Sequence, residues 1–299
     1  LSVIVTKELS RHYGTRLGID RVELEVSKGE IFGFLGPNGA GKTTTIRILL
    51  GMMRPSGGSA VILGLDCWRE SSRIKREVGY LPGDVRLYPW LTAESALSIS
   101  GKVRGQNLRA FGGDLIERLG LERNLPVKRM SRGTRQKLAI VLALAHRPQV
   151  LILDEPTAGL DPLIQAELAH CLRELAEQGH TVFFSSHTLS EVEQLCKSVA
   201  VVRSGRIVAN ETIESLRRRA GRVVTIWFPD KATANDTVCP PWLNLLERTD
   251  NTWRGEIAGD ARRLVDWAAT LPLEDITIES PSLDSLFRRY YRDNEATEE

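Results

Sequence analysis

No stretch of the sequence is apolar for long enough to cross a bilayer. The longest such run, residues 138–145, falls far short of the about 20 residues that a spanning helix needs. Any work at a membrane is therefore expected to go through a partner. Cysteine is also scarce: Cys67, Cys171, Cys196 and Cys239 form no C-x-x-C pair and no cluster with histidine. That argues against a structural zinc site and fits ordinary thiols in a reducing compartment. An excess of one charge is missing too. The net charge of +2 argues against a dominant nucleic-acid surface, and no nucleic-acid partner is expected. No signal peptide is visible in the first residues. What remains is an apolar content of 42% over 299 residues, enough for a real core in one large domain or two ordinary ones.

The chain is organised around Gly36-Pro37-Asn38-Gly39-Ala40-Gly41-Lys42-Thr43, which fills every fixed position of the phosphate-binding pattern G-x-x-x-x-G-K-[ST]. The apolar run Ile31-Phe32-Gly33-Phe34-Leu35 before it predicts a buried strand. After it, Ile46, Leu49, Leu50 and Met53 recur at helical spacing. The glycines let the backbone curl so that its N–H groups face an anion, and the following helix adds its positive end. Lys42 is placed to reach the outer phosphates and the Thr43 hydroxyl to bind Mg²⁺; Thr44 extends the nucleotide-binding set. A glycine turn that binds nothing has no need of this strand and helix around it. The expected ligand is a nucleoside triphosphate.

Residues 1–30 alternate between apolar and polar, as in Val22-Glu23-Leu24-Glu25-Val26, which predicts antiparallel strands with one buried face. Tyr13 lies between them, where its ring can stack on a purine or pack on its own domain; the local sequence leaves both open. Residues 58–66 predict another short strand, ending at Gly64. Residues 92–146 read as helical. Thr92 and Ser95 offer a cap, and Leu115, Leu119 and Leu121 an apolar face. A helical subdomain is thus expected at about 92–147, inserted after the phosphate loop. Within it, Ser131 and Gly133 at a helix start make a second potential anion site, or a plain serine cap.

Val150-Leu151-Ile152-Leu153 is continuously apolar, as a central parallel strand should be. It ends in Asp154-Glu155, where open α/β sheets bind their ligands. Asp154 can hold Mg²⁺, and Glu155 can orient or deprotonate the water that attacks the terminal phosphate. Asp161-Pro162 opens a helix with Ile164, Leu168, Leu172 and Leu175 on its buried face and Gly179 at its close. Thr181-Val182-Phe183-Phe184 predicts a further buried strand that delivers His187 to the same sheet end. Ser190 and Glu193 read as a capping box, and Ser204-Gly205 as a hairpin turn. Past Leu216 the composition changes. Arg217-Arg218-Arg219 with Arg222 reads as a solvated helix end or linker, and Trp227, Trp242, Trp253 and Trp267 follow. Residues 222–299 predict a small α+β domain with strands at 223–228 and 276–278 and a helix at 261–269. It is of a size that is marginal alone and carries no catalytic pattern. Residues 295–299 are expected to be disordered.

Over roughly three quarters of the chain, these pieces resemble the ATP-binding subunit of an ABC transporter. Residues 36–43 are similar to its Walker A loop, and 151–155 to Walker B with the catalytic glutamate. Tyr13 is similar to its adenine-stacking aromatic, and 130–134 to its Leu-Ser-Gly-Gly-Gln signature. Ala158-Gly159-Leu160-Asp161 is similar to its D-loop, and His187 to its switch histidine. The resemblance implies an α/β fold: a P-loop ATPase core with an antiparallel β subdomain and an inserted helical subdomain over residues 1–221, then the α+β domain. It implies catalytic roles for Glu155, His187 and Lys42. It also implies that two cassettes, expected to be two copies of this chain, close head to tail. Each ATP with its Mg²⁺ would then lie between one Walker A loop and the other cassette's Ser131, Arg132 and Gly133. The implied partner is a polytopic membrane permease, which places the chain at the cytoplasmic face of the membrane.

Gly79-Tyr80-Leu81-Pro82-Gly83 and Pro281-Ser282-Leu283-Asp284-Ser285-Leu286-Phe287 resemble the subgroup of daunorubicin- or tetronasin-type drug exporters, whose C-terminal appendix is thought to be regulatory or dimer-stabilising. Two departures from the family pattern stand out. Gly83 occupies the place of the Q-loop glutamine, which bears on metal binding and coupling to the permease. Arg132 and Thr134 replace a glycine and the glutamine of the signature; Arg132 can itself meet a phosphate oxygen. The adjacent Asp84 is the nearest polar substitute for the missing glutamine, as a metal ligand or merely as a turn residue. The alternative is a soluble ATPase of the same family acting on ribosomes or chromosomes. Translation factors of that kind usually carry two cassettes per chain, and chromosome proteins insert long coiled coils for which residues 44–150 are too few. A P-loop kinase or GTPase leaves 130–134 and His187 unexplained.

Overall fold

The alternation in residues 1–30 becomes a long antiparallel pair, β1 (Ser2–Tyr13) and β2 (Arg16–Ser27). β3 (Ile31–Leu35) is buried at all five positions and leads through the phosphate loop into α1 (Lys42–Leu49). β4 (Gly57–Ile62) and β5 (Leu65–Asp66) complete a four-stranded sheet in the order β2-β1-β4-β5. The single strand read at 58–66 is therefore two, broken at Leu63 and Gly64, whose φ of 54° and 78° turn the chain. The computed structural model describes residues 1–219, 221–257, 261–279 and 283, in two compact units, Leu1–Asn210 and Glu211–Glu299.

α2 (Ser71–Glu77) and β6 (Val78–Leu81) precede the helical insertion, which is α3 (Ala93–Arg104), α4 (Arg109–Arg118) and α5 (Arg132–Leu144). Thr92 caps α3 in a reciprocal box with Ser95, and Leu115, Leu119 and Leu121 are buried. The next elements are β7 (Val150–Asp154), α6 (Pro162–Glu177), β8 (Thr181–Ser186), α7 (Leu189–Leu195), β9 (Ser198–Arg203) and β10 (Arg206–Thr212). They build a six-stranded sheet in the order β10-β9-β3-β8-β7-β6, in which β9, β3, β8, β7 and β6 run parallel. β7 and β8 are buried throughout, as strands covered on both faces must be. Phe183 stacks on Phe32 with ring centroids 5.9 Å apart and meets the tilted ring of Phe34 at 5.3 Å. Asp161 accepts the Ile164 N–H at 3.0 Å to start α6. The capping box read from Ser190 and Glu193 does not start α7. Thr188 stands at the cap position, and its N–H donates to Ser186 Oγ at 2.9 Å.

The second unit contains α8 (Ile213–Arg219), β11 (Arg222–Trp227), α9 (Lys231–Asp236), β12 (Leu243–Arg248), β13 (Thr252–Ile257), α10 (Arg262–Ala268) and β14 (Asp275–Ile278). Its antiparallel sheet has the order β12-β13-β11-β14. The core holds Val224, Ile226, Phe228, Trp253 and Leu264, with the Phe228 and Trp253 rings edge to face at 5.1 Å. The unit begins ahead of the 221/222 boundary read from composition. The basic run read as a solvated helix end or a linker is the former: it ends α8, a helix in which Ile213 and Leu216 are buried. Of residues 281–287 only Leu283 is described, and it is buried; the rest of that motif and residues 295–299 lie outside the described residues.

Just past α5, the ring nitrogens of His146 are buried in a cleft lined also by Lys75, Arg76, Glu77, Arg104 and Arg147. Burial first, and then the Arg104 charge, hold its pKa down at about 4, against 6.5 for a free imidazole. Between these values the unfolded chain binds a proton that the folded chain refuses, so stability falls as the pH drops through that window. His146→Leu should flatten the pH dependence of the denaturation midpoint between pH 6.5 and 4, as read by urea titration at several pH values. An unchanged slope would show that this ring does not set it.

Candidate nucleotide site

The parallel register decides which side chains meet. Leu35 pairs with Ser186 and Asp154 with Ser185, so β3, β7 and β8 all exit at one sheet edge. That edge receives the phosphate loop, Asp154-Glu155 and His187. β6 leads to Gly83 at the same edge, where a β-carbon on Gly83 would sit 3.5 Å from Asp154 Oδ2.

Within the phosphate loop the glycines have different duties. Gly39 and Gly41 take φ of 83° and 108°, which side chains resist. Gly36 is needed for closeness instead: a β-carbon there would lie 2.3 Å from Val202 O of β9. The hairpin after β9 is bonded to the loop as well. Gly205 N–H donates to Ala40 O at 3.0 Å, and Gly205 O accepts the Asp20 N–H at 2.8 Å. α1 has no side-chain cap. Thr45 N–H reaches Gly41 O at 2.9 Å, which leaves the N–H groups of Lys42, Thr43 and Thr44 without an intrahelical partner. These donors, at the positive helix end, suit phosphate oxygens.

The charged groups form a connected chain. Lys42, only 5% exposed, directs its ammonium to Gly36 O at 2.5 Å, Pro37 O at 3.2 Å and Glu155 Oε1 at 3.2 Å. The other oxygen of Glu155 meets His187 Nδ1 in a short hydrogen bond. Glu155 itself has φ 52°, a left-handed conformation that costs a non-glycine residue roughly 1–2 kcal/mol; Ser185 O holds its N–H at 3.2 Å. Asp154 is 3% exposed. Its Oδ1 accepts Ser185 Oγ at 2.6 Å, and its Oδ2 accepts Thr43 Oγ1 at 3.0 Å. A buried carboxylate served only by hydroxyls, with a threonine oxygen alongside, is a donor set that fits a hard divalent cation.

A cavity of about 620 Å³ opens over these groups, lined by Tyr13, Pro37, Asn38, Gly39, Gly41, Lys42, Thr43, Thr44, Asp154 and Glu155 among others. Tyr13 is 41% exposed; its hydroxyl lies 3.3 Å from Thr44 Oγ1 and 3.1 Å from Met53 Sδ, so it packs on its own domain and still faces the cavity. Arg16, Leu17, Gly18 and Arg47 also line it and were not singled out in the sequence. Arg47 follows Thr43 by one helical turn, a spacing that could have found it; the β2 residues carry no such signal. Asp84 is not brought to the site. Its carboxylate is 75% exposed and paired with Arg86 at 2.8 Å. Ser131 is exposed and caps α5 through the Thr134 N–H at 3.1 Å. With Arg132 and Gly133 it is absent from the residues lining this cavity. Gly133 is required by its own chain, since a β-carbon would lie 2.8 Å from Gly159 O.

Comparison with known proteins agrees with this geometry. Residues 19–158 match the ABC transporter family. The bacitracin transport ATP-binding protein BcrA of Bacillus licheniformis is 36% identical over 236 residues, covering 78% of this chain and 77% of its own. The linearmycin resistance ATP-binding protein LnrL of Bacillus subtilis is 32% identical over 224 residues, 73% of this chain and 72% of its own. A solved ATP-binding subunit of an ABC transporter superposes with a TM-score of 0.68 at 32% identity, over 73% of this chain and 92% of that one. With a phosphate loop, Asp154, Glu155 and His187 gathered at one sheet edge, the chain belongs to the ABC transporter family, as an ATP-binding subunit that hydrolyses ATP.

Proposed function

We propose that this chain powers an exporter of antibiotics or other hydrophobic compounds, working as a pair of cassettes on the cytoplasmic face of a polytopic membrane permease. Relatives named for bacitracin transport and linearmycin resistance support the cargo class. None of the helices among the described residues is long and apolar enough to cross a membrane, so export needs the permease. The observation that carries the catalytic part is the run Lys42–Glu155–His187 beside Asp154. Lys42 and the N–H groups of the loop bind and orient the phosphates. Glu155 orients or deprotonates the attacking water, and His187 holds the Glu155 carboxylate in place. Thr43 and Asp154 are the residues that would hold Mg²⁺, with Asp84 left to its pairing with Arg86. The metal would supply neutralisation of the charge on the outer phosphates. Tyr13 offers its ring to the base. The exposed Ser131, with Arg132 and Gly133, serves nucleotide held by the partner cassette. The C-terminal unit, from Glu211 onward, supports dimerisation or regulation.

Glu155→Gln should retain ATP binding and lower turnover by about 10²–10⁴-fold, the usual range for acid–base catalysis, when phosphate release and nucleotide affinity are measured in parallel. Near-normal turnover would remove Glu155 from this role. Mixing Lys42→Ala with Ser131→Arg protomers should restore activity above either variant alone, because one of the two sites in a mixed dimer is intact. Mixed dimers with no gain would end the shared-site reading. A strain that lacks this chain should become more sensitive to an antibiotic such as bacitracin or linearmycin and be rescued by the wild-type chain but not by Glu155→Gln. Equal rescue by both would separate resistance from hydrolysis.

A further inference from the structure

Glu155 and His187 bond to each other from two different segments, Glu155-Pro156-Thr157 after β7 and Ser186-His187-Thr188 at the end of β8. The ladder that aligns β7 with β8 ends at Asp154 and Ser185; past it the backbone adds one bond between them, from Glu155 N–H to Ser185 O at 3.2 Å, while Ser186 is paired on its other side with Leu35 of β3. One side chain reaches both segments. Glu191 of α7 accepts Thr157 Oγ1 on Oε1 at 2.8 Å and Ser186 Oγ on Oε2 at 2.6 Å. Each oxygen thus serves one segment, one position from His187 and two from Glu155. Ser186 is 1% exposed, and its oxygen also takes the Thr188 N–H. Hydroxyl-to-carboxylate bonds of this length are charge-assisted and about twice as strong as neutral ones.

We propose that Glu191 is a positioning residue for the Glu155–His187 pair, fixing the distance between the two segments that carry it. Glu191 does not line the nucleotide cavity. It lines a separate cavity of about 270 Å³, together with Thr157, Gln165 and Phe184, and so acts only through its neighbours. The loop needs such restraint. Glu155 holds a left-handed backbone, and the following Pro156 O is already tied to the buried Gln136 of α5 at 3.1 Å. Gln136 and Glu191 hold the same short loop from two sides. The competing role for Glu191 is local. An acidic residue in the first turn of α7 stabilises the helix end through its dipole, which would alter stability and leave turnover alone.

This inference rests on Glu155 acting on the attacking water. The test is steady-state ATP turnover and ATP affinity of the full chain. Glu191→Ala should lower kcat by about 10–10²-fold, the scale of a small misplacement of a reacting group, with ATP affinity little changed. Glu191→Gln should recover most of the loss, since its amide can still bond both hydroxyls. Thr157→Val with Ser186→Ala should lower kcat by the same factor, and adding Glu191→Ala to that pair should change nothing more. Full turnover in a folded Glu191→Ala chain, or an undiminished further loss in the hydroxyl-free background, overturns the proposal. If Glu191→Ala does not fold, the hydroxyl pair decides alone: loss of kcat supports the bridge and wild-type kcat refutes it. The control is Glu155→Gln. Should it keep turnover, the reading of Glu155 fails first; should it lose turnover while Glu191→Ala does not, only the positioning role fails.

Discussion

The parallel pairing of β3, β8 and β7 brings the segments that carry the reactive side chains to one sheet edge. Backbone hydrogen bonds fix Leu35 beside Ser186 and Ser185 beside Asp154, so three segments far apart in sequence leave the sheet together. From that edge the geometry is filled in by short bonds between side chains. Asp154 sits between Thr43 and Ser185, and Glu155 between Lys42 and His187. Each carboxylate divides its two oxygens between two elements, which makes the phosphate loop, β7 and the loop after β8 one assembly.

Electrostatics explain why that assembly can be buried. An isolated ammonium with the exposure of Lys42 would be strongly disfavoured in a protein interior. Here it faces two loop carbonyls and one carboxylate. Glu155 is itself shared, so its charge is drawn toward Lys42 and toward His187 at once. Any anion that takes the Lys42 ammonium also changes what holds Glu155. Phosphate recognition and the position of the water-activating group are thereby physically linked.

Much of this was legible in the sequence because it is local. The phosphate loop announces itself by spacing, and the five-residue apolar runs of β3 and β7 are what doubly covered parallel strands require. Placing His187 beside the carboxylates needed only the rule that parallel strands share their C-terminal edge. What escaped was non-local or compensated. Ser185, Gln136 and Glu191 act through bonds across 20 to 34 positions of chain, and no periodicity marks them. The basic run at 217–219 showed the end of α8 but not its start, because the buried Ile213 and Leu216 stand alone without a longer apolar period. β12 and β13 were not read at all. β12 buries only Leu243 and leaves Leu246 exposed, so its leucines do not mark one buried face. Asp84 was singled out only for its place beside Gly83; here it is exposed and pairs with Arg86, two residues on.

The turn at Ser204-Gly205 looks like an ordinary surface hairpin, the kind of place where a protein chemist inserts a tag or a fluorophore. Both residues are left-handed, with φ of 48° and 79°, and a β-carbon on Gly205 would lie 2.9 Å from Gly18 O. Its N–H supports Ala40 in the phosphate loop, its carbonyl is bonded to Asp20 of β2, and Val202 just before it lies directly beneath Gly36. The turn is therefore a strut under the nucleotide loop. Labels, split sites and circular-permutation points belong elsewhere in this chain, however inviting the local sequence makes this one.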